Sequence, residues 1–173
     1  MLLNINNKHN ISLCGMMGSG KSSIGKILAN KLDYNFIDVD KMIEIKTKKT
    51  IIKIFEEDGE EYFRDLEEKI TINLLNNKET IVSLGGGAII NNNIRKSIKK
   101  KSYNIYLKVD VDILTKRLQN SKTRPLIYKK NLKKELINLR SIREKFYRKA
   151  DLIVKNEKNV IETTKNIIKK IIN

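Results

Sequence analysis

The stretch GMMGSGKSS, residues 15–23, lies between an apolar run, ISLCG (11–15), and a segment in which Ile24, Ile27, Leu28 and Leu32 recur at helical spacing. It satisfies G-x-x-x-x-G-K-[ST] with Gly15, Gly20, Lys21 and Ser22. Glycines let the backbone curl so that successive N–H groups point inward at phosphate oxygens, and the start of the following helix adds partial positive charge. Lys21 is placed to reach β- and γ-phosphates, and the Ser22 hydroxyl to bind the magnesium ion bridging them. A plain glycine-rich turn before a helix would share some of these letters, but the strand–loop–helix setting is the one the phosphate-binding motif requires. By itself the motif predicts nucleoside triphosphate binding and no more.

Four further short apolar runs read as buried strands: NFIDV (35–39), TIVSL (80–84), NIYLKV (104–109) and DLIVK (151–155). Between them lie amphipathic patterns. One carries Phe63, Leu66, Ile70 and Leu74 inward with Glu61, Asp65 and Glu68 outward. Others carry Ile113, Leu114 and Leu118, then Leu132, Leu136, Leu139 and Phe146, and finally Val160, Ile161, Ile167, Ile168 and Ile171. Strand alternating with helix predicts parallel strands with crossover helices, an α/β layered sheet. Neither a repeat nor a Pro/Gly/Ser-rich linker interrupts the chain, so residues 1–173 read as a single domain. The one proline, Pro125, falls in QNSKTRPLIYKKN (119–131), the segment expected to be a mobile lid.

A net charge of +16 and a pI of about 9.8 invite a nucleic-acid reading. The lysines are scattered over helical segments, however, and aromatic residues make up 6%, with no basic-aromatic stripe on which bases would stack. No nucleic-acid partner is expected, and the charge is read as steering anionic small substrates. No apolar run approaches the ~20 residues of a membrane span, and the N-terminus lacks a secretory pattern. A lone cysteine, Cys14, fits a reducing, cytoplasmic setting.

The acids that would serve a magnesium nucleotide do not follow TIVSL, which runs into Gly85, Gly86 and Gly87. They occur in FIDVD as Asp38 and Asp40. If the strand persists through 40, both carboxylates face the phosphate loop. Asp38 would then hold the hydration shell of magnesium, and Asp40 would orient a substrate hydroxyl. The competing reading is that one of them caps the next helix. Arg64, in EEYFRDLEEK, could be a surface partner of Glu60, Asp65 or Glu68, and Arg143 has a similar bland reading.

GMMGSGKSS, FIDVD, EEYFRDLE, SLGGGA, TRPLI and REKFYRKAD occur in an order and approximate spacing that resembles the shikimate kinases, over residues 11 to about 155. The resemblance implies a three-layer P-loop kinase fold with a five-stranded parallel sheet in the order 2-3-1-4-5. It implies ATP and shikimate as ligands, Mg2+ as cofactor and a monomer without a membrane partner. Among the ATP-binding residues it implies Gly18, Ser19, Gly20, Lys21, Ser22 and Ser23. Arg117 would pack on the adenine, and Arg124 would reach the phosphates from the lid. Shikimate falls to Asp40, Arg64, Gly85, Gly86 and Arg143, with the two arginines on its carboxylate. Magnesium falls to Ser22 and Asp38, and catalysis to Lys21, Asp40 and Arg124. Glycine at 85–87 leaves room for a ring acid against a strand end and exposes backbone donors. In the family the middle glycine makes such a contact, hence Gly86. The lid motif here reads RPLI, the family's Pro-Leu before Tyr147 is KF, and KNEKN (155–159) aligns loosely, leaving Lys158 and Asn159 both open as the adenine contact. Alternatives are a related small-molecule P-loop kinase, such as one acting on gluconate, and a non-catalytic P-loop regulatory protein.

Overall fold

In the computed structural model the described residues are 5, 8–119, 131–157 and 159–172. Five strands form one sheet: β1 (Asn10–Cys14), β2 (Asn35–Asp38), β3 (Thr80–Ser83), β4 (Ser102–Lys108) and β5 (Leu152–Lys155). All neighbours are parallel, in the order β2-β3-β1-β4-β5, with Leu13 opposite Ser83 on one side and Ile105 on the other. The expected order is the observed one. Central β1 is buried along its whole length, which is why it reads as a continuous apolar run.

Alternation divides the core into two layers. Ile11, Leu13, Ile105 and Leu107 face α1 (Lys21–Leu32) and α8 (Val160–Ile171), packing on Ile24, Leu28, Ile167 and Ile171. The opposite face buries Cys14, Val82 and Tyr106 against residues of α2 (Val39–Thr47), α3 (Ile51–Glu57), α4 (Gly59–Leu74), α5 (Asn92–Lys101), α6 (Val111–Leu118) and α7 (Leu132–Tyr147). Each fully buried Leu or Ile stabilises by roughly 1.5–3 kcal/mol. Burial raises the Cys14 thiol to about 12, so it behaves as a small apolar core group.

Two expectations change. The strand carrying Asp38 stops there: Asp38 caps α2 by accepting from the Lys41 N–H at 3.3 Å, and Asp40 lies in that helix's first turn. Strand alternation therefore does not set the direction of Asp40. Helices α2, α3 and α5 were absent from the amphipathic patterns, since α2 and α3 are short and α5, KKK-terminated, presents only Ile94 and Ile98 to the core. Caps mark their starts instead. Thr50 accepts from Lys53 N–H at 3.3 Å, and Asn91 from Asn93 and Ile94 N–H at 2.8 and 3.0 Å. The proposed lid lies almost wholly outside the described residues, as do Arg124 and Lys158. No helix among the described residues is long and apolar enough to cross a membrane.

Candidate active site

Parallel strands bring the loops after β1, β2, β3 and β5 to one edge of the sheet. The loop after β1 is the phosphate cradle. Gly18 and Gly20 hold φ of 75° and 91°, the left-handed region that side chains avoid. Gly20 begins α1 with no side-chain cap, which leaves the helix's first N–H groups for an anion. Lys21 folds back over the loop and donates to the carbonyls of Gly15 (3.0 Å) and Met16 (3.1 Å). The Ser22 hydroxyl donates to Asp38 Oδ2 at 2.5 Å, so residues 16 apart in sequence share one corner of the site. Gly18, Gly20, Lys21, Ser22, Ser23, Asp38, Asp40 and Arg117 line a cavity of about 380 Å³.

Ser19 sits inside the loop. Its side chain is fully buried, its N–H donates to Met16 C=O at 3.1 Å, and its carbonyl accepts from Asn156 Nδ2 at 2.8 Å. Its polar backbone groups are committed to the shape of the loop. Asn156, which sequence reading missed, joins four elements. Besides Ser19 it donates its N–H to Lys108 C=O (2.9 Å), accepts the Thr163 hydroxyl on Oδ1 (2.9 Å) and accepts Arg117 Nη2 on its carbonyl (3.1 Å). Arg117 also donates to Gly18 C=O at 3.2 Å, so its guanidinium spans the mouth of the cradle. Asn159 caps α8, accepting from Glu162 N–H at 2.9 Å.

Beside the cradle lies a second cleft, lined by Met17, Asp40, Phe55, Phe63, Arg64, Glu67, Gly86, Gly87 and Arg143. Asp40 lines both spaces. The inner part of this cleft is tight, about 40 Å³, room for a few waters, and a chamber of about 430 Å³ lies on the outer side of Arg64, Glu67 and Arg143. Arg143 is 2% exposed, and its Nε and Nη1 have no hydrogen-bond partner among the described residues. A buried guanidinium with open donors is costly unless an anion completes it.

Arg64 has two acidic partners. It pairs with Glu60 at 2.9 Å, as a surface arginine would, and with Glu67 at 2.7 Å, inside the cleft. Glu67 is 1% exposed, and burial raises its carboxyl despite the attraction of Arg64. The signal for Glu67 was available: it stands four residues after Phe63 and three before Ile70, on the apolar stripe. A carboxylate there must have a partner.

The three glycines face different neighbours. Gly85 does not line the cleft; a Cβ there would collide with the Glu67 carboxylate and come within 2.9 Å of Asp40 Oδ1. A Cβ on Gly87 would lie 2.6 Å from Arg64 Nη1. Gly85 and Gly87 thus make room for the protein's own charged side chains. A Cβ on Gly86 meets Met17 N at 3.4 Å and Arg143 Nη1 at 3.5 Å, space beside the open guanidinium.

The shikimate kinase family model matches residues 17–173. The chain belongs to the shikimate kinase family. The shikimate kinase of Bartonella henselae is 39% identical over 160 residues, covering 92% of this chain and 76% of that one. A solved structure of the Acinetobacter baumannii shikimate kinase in complex with shikimate superposes with a TM-score of 0.92 at 33% identity, covering 95% of this chain and 93% of that one. A gluconokinase from Sinorhizobium meliloti shares the fold alone, with a TM-score of 0.59 at 17% identity over 91% of this chain and 87% of that one. As a shikimate kinase family member the chain is an ATP-dependent phosphotransferase with an alcohol acceptor.

Proposed function

We propose that this kinase transfers the γ-phosphoryl group of ATP to the 3-hydroxyl of shikimate, giving ADP and shikimate 3-phosphate. The observation that carries the choice of acceptor is the buried Arg143, with open Nε and Nη1, in a cleft adjoining the phosphate cradle through Asp40. Such a site suits a small acid whose hydroxyl must approach a terminal phosphate. Arg143 and Arg64 clamp the carboxylate, a task for which the guanidinium fork fits better than an ammonium. Asp40 orients the hydroxyl. Lys21 leaves the loop carbonyls for the phosphates, and the open N–H groups of α1 hold them. The walls of the inner cleft part to admit a six-membered ring.

Ser22 and Asp38 offer a hydroxyl and a carboxylate at the cradle mouth, hard oxygen donors that suit Mg2+ held by few protein ligands and by phosphates. When bound there, the ion neutralises phosphate charge. Phosphoryl transfer passes through a loose transition state, so these residues act by position and electrostatics. Arg124 would add charge from the lid, and Arg117, exposed at the cradle mouth, would pack on the adenine. We place the protein in the cytoplasm as a monomer without membrane or nucleic-acid partners. The support for the compartment is a single buried, unpaired cysteine, and for the absence of a nucleic-acid partner the scattered lysines. Sedimentation at working concentration tests the monomer.

The deciding assay couples ADP release to an acceptor panel of shikimate and gluconate with magnesium and ATP. Shikimate-dependent turnover is expected; preferential turnover of gluconate overturns the reading. Gly86→Ala should fold and bind ATP while losing shikimate affinity, and an unchanged shikimate KM would remove Gly86 from the site.

A further inference from the structure

Tyr147 lines neither the cradle nor the acid cleft, yet it is fully buried against the glycine loop. Its hydroxyl donates to the Gly86 carbonyl at 2.5 Å. Its ring stacks on Tyr106, with centroids 4.9 Å apart and planes 17° from parallel. The Tyr106 hydroxyl in turn donates to Glu144 Oε2 at 2.7 Å, and Glu144 lies on the same helix as Tyr147, held by Arg148 at 3.1 Å. The ring of Tyr147 is therefore fixed from one side by a second aromatic ring whose own hydroxyl is tied down.

The bond to Gly86 has a directional consequence. The chain has no cis peptide among its described residues, so the Gly86 C=O and the Gly87 N–H point opposite ways across one rigid plane. Holding the carbonyl toward Tyr147 turns the Gly87 N–H away from it, and Gly87 lines the cleft. Neither Gly86 N–H nor Gly87 N–H donates to a backbone carbonyl or side chain among the described residues. Glycine peptides have wide rotational freedom, and nothing in their own sequence fixes this plane. Arg143, one helical turn before Tyr147 on α7, comes to the same cleft from the same helix.

We propose that Tyr147 is a positioning residue for acceptor binding: through the Gly86 carbonyl it sets the peptide plane that presents the glycine-loop N–H groups to the acid held by Arg143. It touches neither ligand. The inference rests on shikimate being the acceptor, and wild-type turnover of shikimate tests that reading separately.

Tyr147→Phe keeps the ring stack and removes only the hydroxyl, which leaves the Gly86 carbonyl unsatisfied and also takes away the hydroxyl's contact with the Arg143 guanidinium, so loss of the shikimate-induced Gly87 amide shift in this variant is the readout specific to the glycine loop. Tyr106→Phe removes the other buried hydroxyl of the same stack and serves as the control. Tyr147→Phe should raise the shikimate KM about tenfold while the ATP KM and kcat stay within about twofold. Tyr106→Phe should lower Tm comparably and leave the shikimate KM within about twofold. An unchanged shikimate KM in Tyr147→Phe, or an equal rise in Tyr106→Phe, overturns the proposal, because a merely structural hydroxyl would affect both alike. In wild-type protein, shikimate should shift the Gly87 amide resonance; a silent Gly87 amide overturns the proposal without recourse to a variant.

Discussion

The phosphate cradle and the acid cleft meet at Asp40, yet they are built in opposite ways. The cradle is local and made of backbone: residues 15–23 carry the turn, the helix start and Lys21, with Asp38 brought alongside by Ser22. The acid cleft is assembled from side chains on α2, α3, α4 and α7 beside the backbone of the loop after β3, and it leaves two donors of Arg143 without a hydrogen-bond partner among the described residues. Phosphate presents many equivalent oxygens to any converging N–H groups, so a short curl of chain suffices. A ring acid must be gripped at two ends, which requires elements far apart in sequence.

Independence of the two regions can be broken most decisively at Lys21. Lys21→Ala should lower kcat by about 10³-fold, on the scale of losing one positioned electrostatic group, with shikimate affinity retained. Calorimetric titration of shikimate into that variant checks the second half; a parallel loss of affinity would show the regions to be one unit. Arg143→Lys should weaken shikimate by about 2–5 kcal/mol and spare ATP, since one open donor of a buried fork goes unreplaced. Arg64→Lys should cost less, about 1.5–3 kcal/mol, because Arg64 is partly exposed and already shared with Glu60 and Glu67. Steady-state KM values for both substrates rank the two.

Gly87→Ala should raise the shikimate KM about tenfold by pushing Arg64 off the backbone, with circular dichroism unchanged. The smallest effect is electrostatic. Because burial raises the Glu67 carboxyl, the folded protein holds a proton that the unfolded chain has released. Its contribution to stability is present below the ordinary glutamate range and is lost as pH rises through the raised value. Thermal melts across mildly acidic pH should show this downward slope, and Glu67→Gln should flatten it.

The same contrast explains what the sequence disclosed. Periodicity found the five strands, and the motif found Lys21, Ser22 and the turn. The strand order came only through resemblance, because alternation of strand and helix leaves the winding open. Alternation failed at Asp40 because Asp38 was already a helix cap, an option that its side chain carries as readily as a strand end does. Beyond its neighbour Arg64, Glu67 meets Gly85, 18 residues away, while Asn156 and the hydroxyl of Tyr147 act through contacts 137 and 61 residues away, and no local pattern encodes the partner of such a group. Glu67 alone left a trace, a charge on an apolar stripe.

Cys14 ends the central strand directly beneath the cradle, and burial keeps its thiol protonated across the working range of the protein. Being the chain's single sulfhydryl, it is a built-in clock. Alkylating reagents can reach it only when the sheet's middle strand parts from its neighbours, so the labelling rate, with and without nucleotide, counts how often the molecule comes undone at its centre.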